Sequence, residues 1–484
     1  MSDALAGLKP AHLWKHFSQL LKTPHGSGNE RALGDYIISV AEALKLSWKR
    51  DKVGNVLVAK PATPGHERAS GIILQGHMDM VNEKNSDVAH DFLKDPIIAE
   101  VKGEWVEAKG TTLGSDNGIG VSAGLAVMED STLVHGPLEF LFTVDEETGL
   151  TGANHLGKGF LKGRNLFNLD SEDEGTFTIG CSGGGDSVIW LPLQRKRRRF
   201  KDSCRLRLYG LRGGHSGLDI NQGRGNAIRL LVRLLYEALD RFKFDLVCIE
   251  GGNKRNAIPR EAWAQISIDG AAARKLQPFL KNAFDKVRNE HKAVEKEAQL
   301  AFEKTVDPKE APLTAESQAA LIRLLLTLPH GVISMHPEIA GLVETSSNLA
   351  VVRCEKAQAQ VICSSRSSVA SALSAVRQAI KALSELAGAR IIQEGGYPGW
   401  EPNLQSALLK RLSGVYLNVF GKEPEVKAVH AGLECGIIGE KYPGMDMISF
   451  GPTIEHPHSP EERVHTGSVE RFWTFLTASL RELS

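Results

Sequence analysis

At 484 residues the chain is too long for one hydrophobic core, and two or three domains are expected. Its 58 Lys+Arg balance 58 Asp+Glu, so no net field recruits nucleic acid or an anionic membrane surface. The first twenty residues carry Asp3, Lys9 and Lys15 and lack a signal-like apolar run, no stretch reaches the roughly 20 apolar residues of a span, and six scattered cysteines form no C-x-x-C pair; a cytoplasmic protein with reduced thiols is expected.

Residues 1–186 alternate helical and strand patterns. Helices are predicted at 11–21 and 30–44, short buried strands at 55–59, 71–74, 138–144 and 165–169, and a helix of small residues at 118–128. Residues 187–395 have another rhythm. A half-exposed strand at 204–211 precedes Gly213-Gly214-His215-Ser216-Gly217, and Ala227, Leu230, Leu231, Leu234, Leu235 and Ala238 mark an amphipathic helix. A strand at 262–268 and a helix at 271–291 follow. A comparable set recurs as a helix at 314–327, strands at 349–354 and 359–364, and a helix at 367–386. From 396 onward the α/β rhythm returns, with a strand at 445–450 and a helix at 469–483. The expected fold is α/β: a discontinuous domain, 1–186 with 396–484, around a mostly parallel sheet, interrupted by an α+β lid at 187–395 made of two similar units.

Polar signposts sit at the exits of the predicted strands, where ligands of α/β sheets gather. His77 and Asp79 in Gly76-His77-Met78-Asp79-Met80 follow the run 71–74; His77 reads as a metal ligand and Asp79 as the acceptor that fixes its tautomer. Asp116, in Gly114-Ser115-Asp116-Asn117-Gly118, stands at a helix start where a capping Asp is common. Among further carboxylates it reads instead as a bridge between two cations. Glu146-Glu147 follows a buried strand, and adjacent side chains do not readily ligate one ion. Glu147 is therefore assigned to metal and Glu146 to proton transfer. Asp170 ends the strand at 165–169. His458, preferred over His456 and His465, follows a strand and a Gly-Pro turn. Two His and three carboxylates make a donor set for two divalent cations, the layout of a metal-assisted hydrolase.

Three motifs match by letter only. Gly180-Cys181-Ser182-Gly183-Gly184 fits the nucleophile elbow, yet strand-like residues follow it where a helix is required. The run Arg195–Arg199 has no interleaved aromatics and reads as a solvated edge or hinge. Gly118-Ile119-Gly120 lacks the strand and third glycine of a dinucleotide fingerprint.

In order, His77-x-Asp79, Gly114–Gly118, Asp145-Glu146-Glu147-x-Gly149, Asp170 and His458-Ser459 resemble the dinuclear zinc superfamily of glutamate carboxypeptidase, aminoacylase and carnosinase, with its zinc exopeptidase-like fold. Within it, Gln75–Val81, Thr111–Gly118, the long lid and His430-Ala431-Gly432-Leu433-Glu434-Cys435-Gly436 resemble the aminoacyl-histidine dipeptidases (peptidase D, cytosol non-specific dipeptidase). The resemblance implies His77, Asp116 and Asp170 on one metal and Asp116, Glu147 and His458 on the other. The metal would be Zn2+, with Co2+ or Mn2+ as substitutes. It further implies Asp79 and Glu146 as catalytic residues, hydrolysis of dipeptides including Xaa-His and carnosine-like ones, and a homodimer. Gly214-His215-Ser216-Gly217 is similar to the family's lid histidine, which polarises the scissile carbonyl. Asn256 and Arg366 resemble its substrate-binding residues. A deacylase of N-acylated amino acids is the rival reading; a metal-free binding protein and a hydrolase using Ser182 are the others.

Overall fold

The structure, a computed structural model, describes residues 4–305, 310–393 and 395–484. The chain forms two compact units. One comprises residues 1–180, 400–428 and 433–484; the other comprises 181–399 with 429–432. The chain therefore passes between them four times, the last two crossings falling around 429–432, beyond the single return expected at 396.

The first unit is built on an eight-stranded sheet. Its order is Ser47–Arg50, Val56–Lys60, Leu138–Thr143, Ile72–His77, Asn165–Asn168, Asp446–Ser449, Thr176–Cys181 and Glu425–Val429. The four central strands, 138–143, 72–77, 165–168 and 446–449, run parallel, whereas 47–50, 56–60 and 176–181 pair antiparallel. The sheet is thus mixed, parallel where the predicted signposts lie. Strand 72–77 is buried at every residue, which is why it reads as a continuous apolar run with no alternation.

Helices Ala11–Leu20, Arg31–Ala43, Ser115–Glu129, Ala407–Phe420 and Thr466–Glu482 contribute to one apolar core with this sheet. Helix 115–129 has no polar face because it is buried almost all round, and its glycines permit that packing. A Cβ at Gly120 would lie 2.5 Å from the Leu169 carbonyl oxygen. A separate four-stranded sheet, Ile454–Glu455, Arg463–His465, Trp105–Ala108 and Ala99–Lys102, anchors both ends of the loop that carries His458.

The second unit holds a nine-stranded antiparallel sheet. Strands Gln299–Thr305, Asp202–Tyr209, Ala262–Ile268 and Phe244–Gly251 form one half, accompanied by helices Ala227–Leu239 and Gly270–Glu290. Val343–Cys354, Gln358–Ser367, Gly183–Pro192 and Arg390–Ile392 form the other, accompanied by helices Ala315–Thr327 and Ala370–Leu386, with Gly331–Met335 pairing to 343–354. The halves join where Gly251 pairs with Val352. Side-chain caps start three of the helices: Asn226, Asp269 and Thr314.

Two of the letter matches acquire structural roles. Ser182 lies between strands 176–181 and 183–192, so no elbow forms. Arg195 donates to the carbonyls of Lys356, Val247, Ala311 and Glu355, while Lys196 and Arg199 both meet Asp245. The basic run is a clamp that ties strand 244–251 to the loops at 311 and 355–356 of the second unit.

Candidate active site

In the first unit, His77, Glu146–Glu147 and Asp170 stand at or just beyond the ends of neighbouring parallel strands 72–77, 138–143 and 165–168. The N-terminal end of helix 115–129, where Asp116 departs from helical backbone (φ −84, ψ 108), brings in Asp116. His77 Nε2 lies 3.1 Å from Asp116 Oδ1 and 3.3 Å from Asp170 Oδ1. His458 Nε2 lies 3.2 Å from Asp116 Oδ2 and 3.1 Å from Glu147 Oε1. Asp116 thus offers one oxygen to each histidine.

These contacts fit a pair of metal ions. His77, Asp116 and Asp170 each present a ligand atom within 4.8 Å of the others, as do Asp116, Glu147 and His458. Glu147 Oε1 and Asp170 Oδ1 are buried with no hydrogen-bond partner, a costly state that a bound cation would relieve. His77 Nδ1 lies 3.0 Å from the Asp79 carbonyl oxygen and 3.5 Å from Asp79 Oδ1. Both are acceptors, so Nδ1 carries the proton and Nε2 turns its lone pair to the cluster.

Asp79 is itself held in place. It accepts hydrogen bonds from Ser27 Oγ (2.8 Å) and from the backbone N–H groups of Glu146 (2.9 Å) and Glu147 (3.2 Å). One carboxylate therefore orients His77 and fixes the Glu146-Glu147 turn. Asp145, just before that turn, has φ 53 and ψ 47, left-handed backbone that a non-glycine residue adopts only under constraint. Glu30, Asp79 and Asp145 also cluster, but their oxygens are already engaged with local N–H and hydroxyl donors, which makes them scaffolding.

Glu146 has its proton affinity pushed well up, by burial above all; His77 opposes, while Asp170, Glu434 and Glu147 add to the rise. His458 has φ 60 and His456 φ 56, so the loop turns through left-handed backbone where it brings the His458 ring to Asp116 and Glu147. His465, the competing histidine, instead caps helix 466–482 by accepting from Ser468 N at 3.1 Å.

The second unit holds the remaining expected residues. Strand Gly214–His215 pairs with Ala257–Ile258, which places His215 beside the Asn256 segment. His215 Nδ1 accepts from Gly217 N (3.3 Å) and Leu218 N (3.0 Å). Burial, then Arg366, lowers its proton affinity, so the ring is neutral with its proton on Nε2. Asn256 is exposed, and its carbonyl accepts from Ser216 N at 2.8 Å. Arg366 is 8% exposed, donates to Tyr397 Oη at 2.8 Å and keeps a buried Nε without a partner.

Three glutamates escaped the sequence reading. Glu434, fully buried, accepts from Gln75 Nε2 (2.6 Å) and Thr143 Oγ1 (2.7 Å), and burial raises it to about 7. Glu172 lies two residues beyond Asp170; burial first, then Asp116 and Asp170, raise it to about 8. Glu462 clamps the Asp116 loop. Glu434 stood in plain view in the His430–Gly436 motif, whereas Glu172 and Glu462 look like ordinary members of acidic loops.

Residues 73–482 match the peptidase family M20/M25/M40, and the chain belongs to that family. It is 42% identical over 480 residues to the cytosol non-specific dipeptidase of Escherichia coli (strain K12), covering 99% of each chain. The crystal structure of aminoacylhistidine dipeptidase from Vibrio alginolyticus, also 42% identical, matches with a TM-score of 0.92 over 98% of this chain and 97% of that one. Human carnosine dipeptidase 1, at 12% identity and a TM-score of 0.52 over 97% of this chain and 96% of that one, shares the fold.

Proposed function

We propose that this chain is a dinuclear metal-dependent dipeptidase that hydrolyses dipeptides with both termini free, Xaa-His and carnosine-like dipeptides among them. The observation that carries this reading is Asp116, with one oxygen against each of two inward-facing histidine nitrogens, beside orphaned carboxylate oxygens and Glu146. Full-length similarity to two dipeptidases supports the substrate class.

His77, Asp116 and Asp170 would hold one ion, and Asp116, Glu147 and His458 the other. Zn2+ fits the mixed N/O donor set, with Co2+ or Mn2+ as substitutes. Bound there, the ions would supply Lewis acidity that polarises the peptide carbonyl and makes water a stronger acid. Glu146 takes a proton from the attacking water and delivers it to the leaving nitrogen as the C–N bond breaks. Asp79 keeps His77 in one tautomer. His215, with its proton on Nε2, donates to the carbonyl oxygen as that oxygen becomes negative. Arg366 and Asn256 bind the substrate's C-terminal carboxylate, the guanidinium through paired N–H groups and the amide through one directed bond. Full-length similarity to a cytosol non-specific dipeptidase supports a cytoplasmic enzyme, and a homodimer is the expected assembly.

The test compares one Xaa-His dipeptide with its N-acetylated and C-amidated forms on metal-replete protein. Efficient hydrolysis of the free dipeptide alone is expected. Equal turnover of the blocked forms would replace this reading with a deacylase or amidase.

A further inference from the structure

Glu462 is 2% exposed, and the only partners of its carboxylate in the described structure are five donors of one short segment. Oε2 accepts from Leu113 N at 2.8 Å and Gly114 N at 3.0 Å. Oε1 accepts from Ser115 N at 2.7 Å, Ser115 Oγ at 2.6 Å and Asp116 N at 3.2 Å. Four successive backbone N–H groups thus wrap one carboxylate, an anion nest whose anion is supplied by the chain itself. The nest requires Gly114 at φ 75, a conformation costly for residues with a Cβ.

The other end of this contact matters as much. Glu462 lies four residues after His458, and Glu462 N donates to the Ser459 carbonyl at 3.0 Å, closing the turn between them. Strand Arg463–His465 follows at once and pins the turn to Trp105–Ala108. The carboxylate therefore links two loops that are more than 340 residues apart in sequence: one presents Asp116 Oδ2, the other His458 Nε2, 3.2 Å away.

We propose that Glu462 is a positioning residue: its carboxylate fixes the spacing between Asp116 and His458 and thereby builds the half of the metal centre formed by Asp116, Glu147 and His458. This rests on the dinuclear reading above. Glu462→Gln preserves shape but not chemistry. An amide has one acceptor oxygen, so in either orientation its NH2 group must face two of the same N–H donors, and the segment shifts to relieve that clash. Asp116 is shared by both ions, but His77 and Asp170, at strand ends, are not tied to Glu462, so one ion loses the placement of Asp116 and His458 together and the other that of Asp116 alone. The effect should therefore fall on one ion more than the other.

The experiment titrates metal-free wild type, Glu462→Gln, Glu462→Asp and Ser115→Ala with Co2+ by absorption and with Zn2+ by calorimetry, and follows kcat and KM at rising metal. Two bound ions are expected for wild type. For Glu462→Gln, one affinity should fall at least tenfold with the other within about threefold of wild type, and KM for a dipeptide should be little changed. Its kcat should recover at high metal. Glu462→Asp and Ser115→Ala should shift the same affinity less. A merely structural role would lower the denaturation midpoint and leave both affinities alone. If Glu462→Gln does not fold, Ser115→Ala decides. Wild type that binds fewer than two ions overturns the metal reading and this inference with it. Wild type that binds two, with both affinities intact in every folded variant, overturns the inference alone.

Discussion

At the scale of single residues, the account divides labour between neighbours. Glu146 and Glu147 are adjacent; Glu147 Oε1 faces His458 at 3.1 Å, Glu146 also clusters with His77 and Glu147, and the proposal gives metal to Glu147 and proton transfer to Glu146. Glu146→Ala should keep both metals and lose roughly a hundred- to ten-thousand-fold in kcat. Glu147→Ala should lose metal at one site; metal analysis with the reverse pattern would overturn the split. Arg366 is buried with an unpartnered Nε. Arg366→Ala should raise KM for a dipeptide by roughly 30-fold, the order expected when a buried charge partner is removed. It should also erase most of the penalty for amidating the substrate's C-terminus, measured by comparing the two substrates on each protein.

At the scale of elements, strand exits carried most of what sequence could reveal. Strands 72–77, 138–143 and 165–168 are short apolar runs followed by polar residues, and that contrast marks both the strand and its functional end. Helix 118–128 was recognisable from its small residues, although it begins at Ser115. Strands 244–251 and 299–305 and helix 407–420 went unread. The first follows a helix with no clear turn signal, strand 299–305 has no buried residue to mark it, and helix 407–420 carries a legible stripe, Leu408, Leu409, Leu412, Val415 and Tyr416, that was missed. The Glu462 nest was equally invisible, since nothing local distinguishes a carboxylate that caps a distant loop. In the second unit, the pairing of 214–215 with 257–258 fixes the His215 turn. His215→Ala should therefore act on kcat, by roughly a hundred- to a thousandfold, far more than on KM. Asn226 caps helix 227–239 and also donates to the Leu349 carbonyl at 2.8 Å. Asn226→Ala should cost about 1 kcal/mol or more, read from the urea midpoint.

At the scale of the molecule, each unit carries a histidine held neutral by burial: His16 in the first and His330 in the second, both lowered to about 4. Burial is the main cause in each; Glu129 pulls His16 the other way, and Arg229 adds to the lowering of His330. The unfolded chain binds these protons below the ordinary value of 6.5, while the folded chain refuses them until about pH 4. The stability each histidine contributes should therefore be intact above pH 6.5 and be lost as pH drops toward 4, opposite in sign to the raised Glu434 and Glu172, and it is read as the difference in denaturant midpoint between wild type and His330→Gln. A difference that stays flat over that window would contradict the assignment. Assembly can be tested by mixing His215→Ala with Glu146→Ala under subunit exchange. Recovered activity would place His215 across a dimer, and none despite proven exchange would place it within one chain.

The most direct test of the dinuclear metal claim is a metal back-titration. Protein stripped by a chelator is given Zn2+ while dipeptide hydrolysis and bound metal are followed together. The account predicts an inactive apoprotein, two ions bound per chain, and activity that returns fully only when both sites fill, with no effect of serine-directed reagents. Full activity in the stripped protein, or a single ion at full activity, would contradict it.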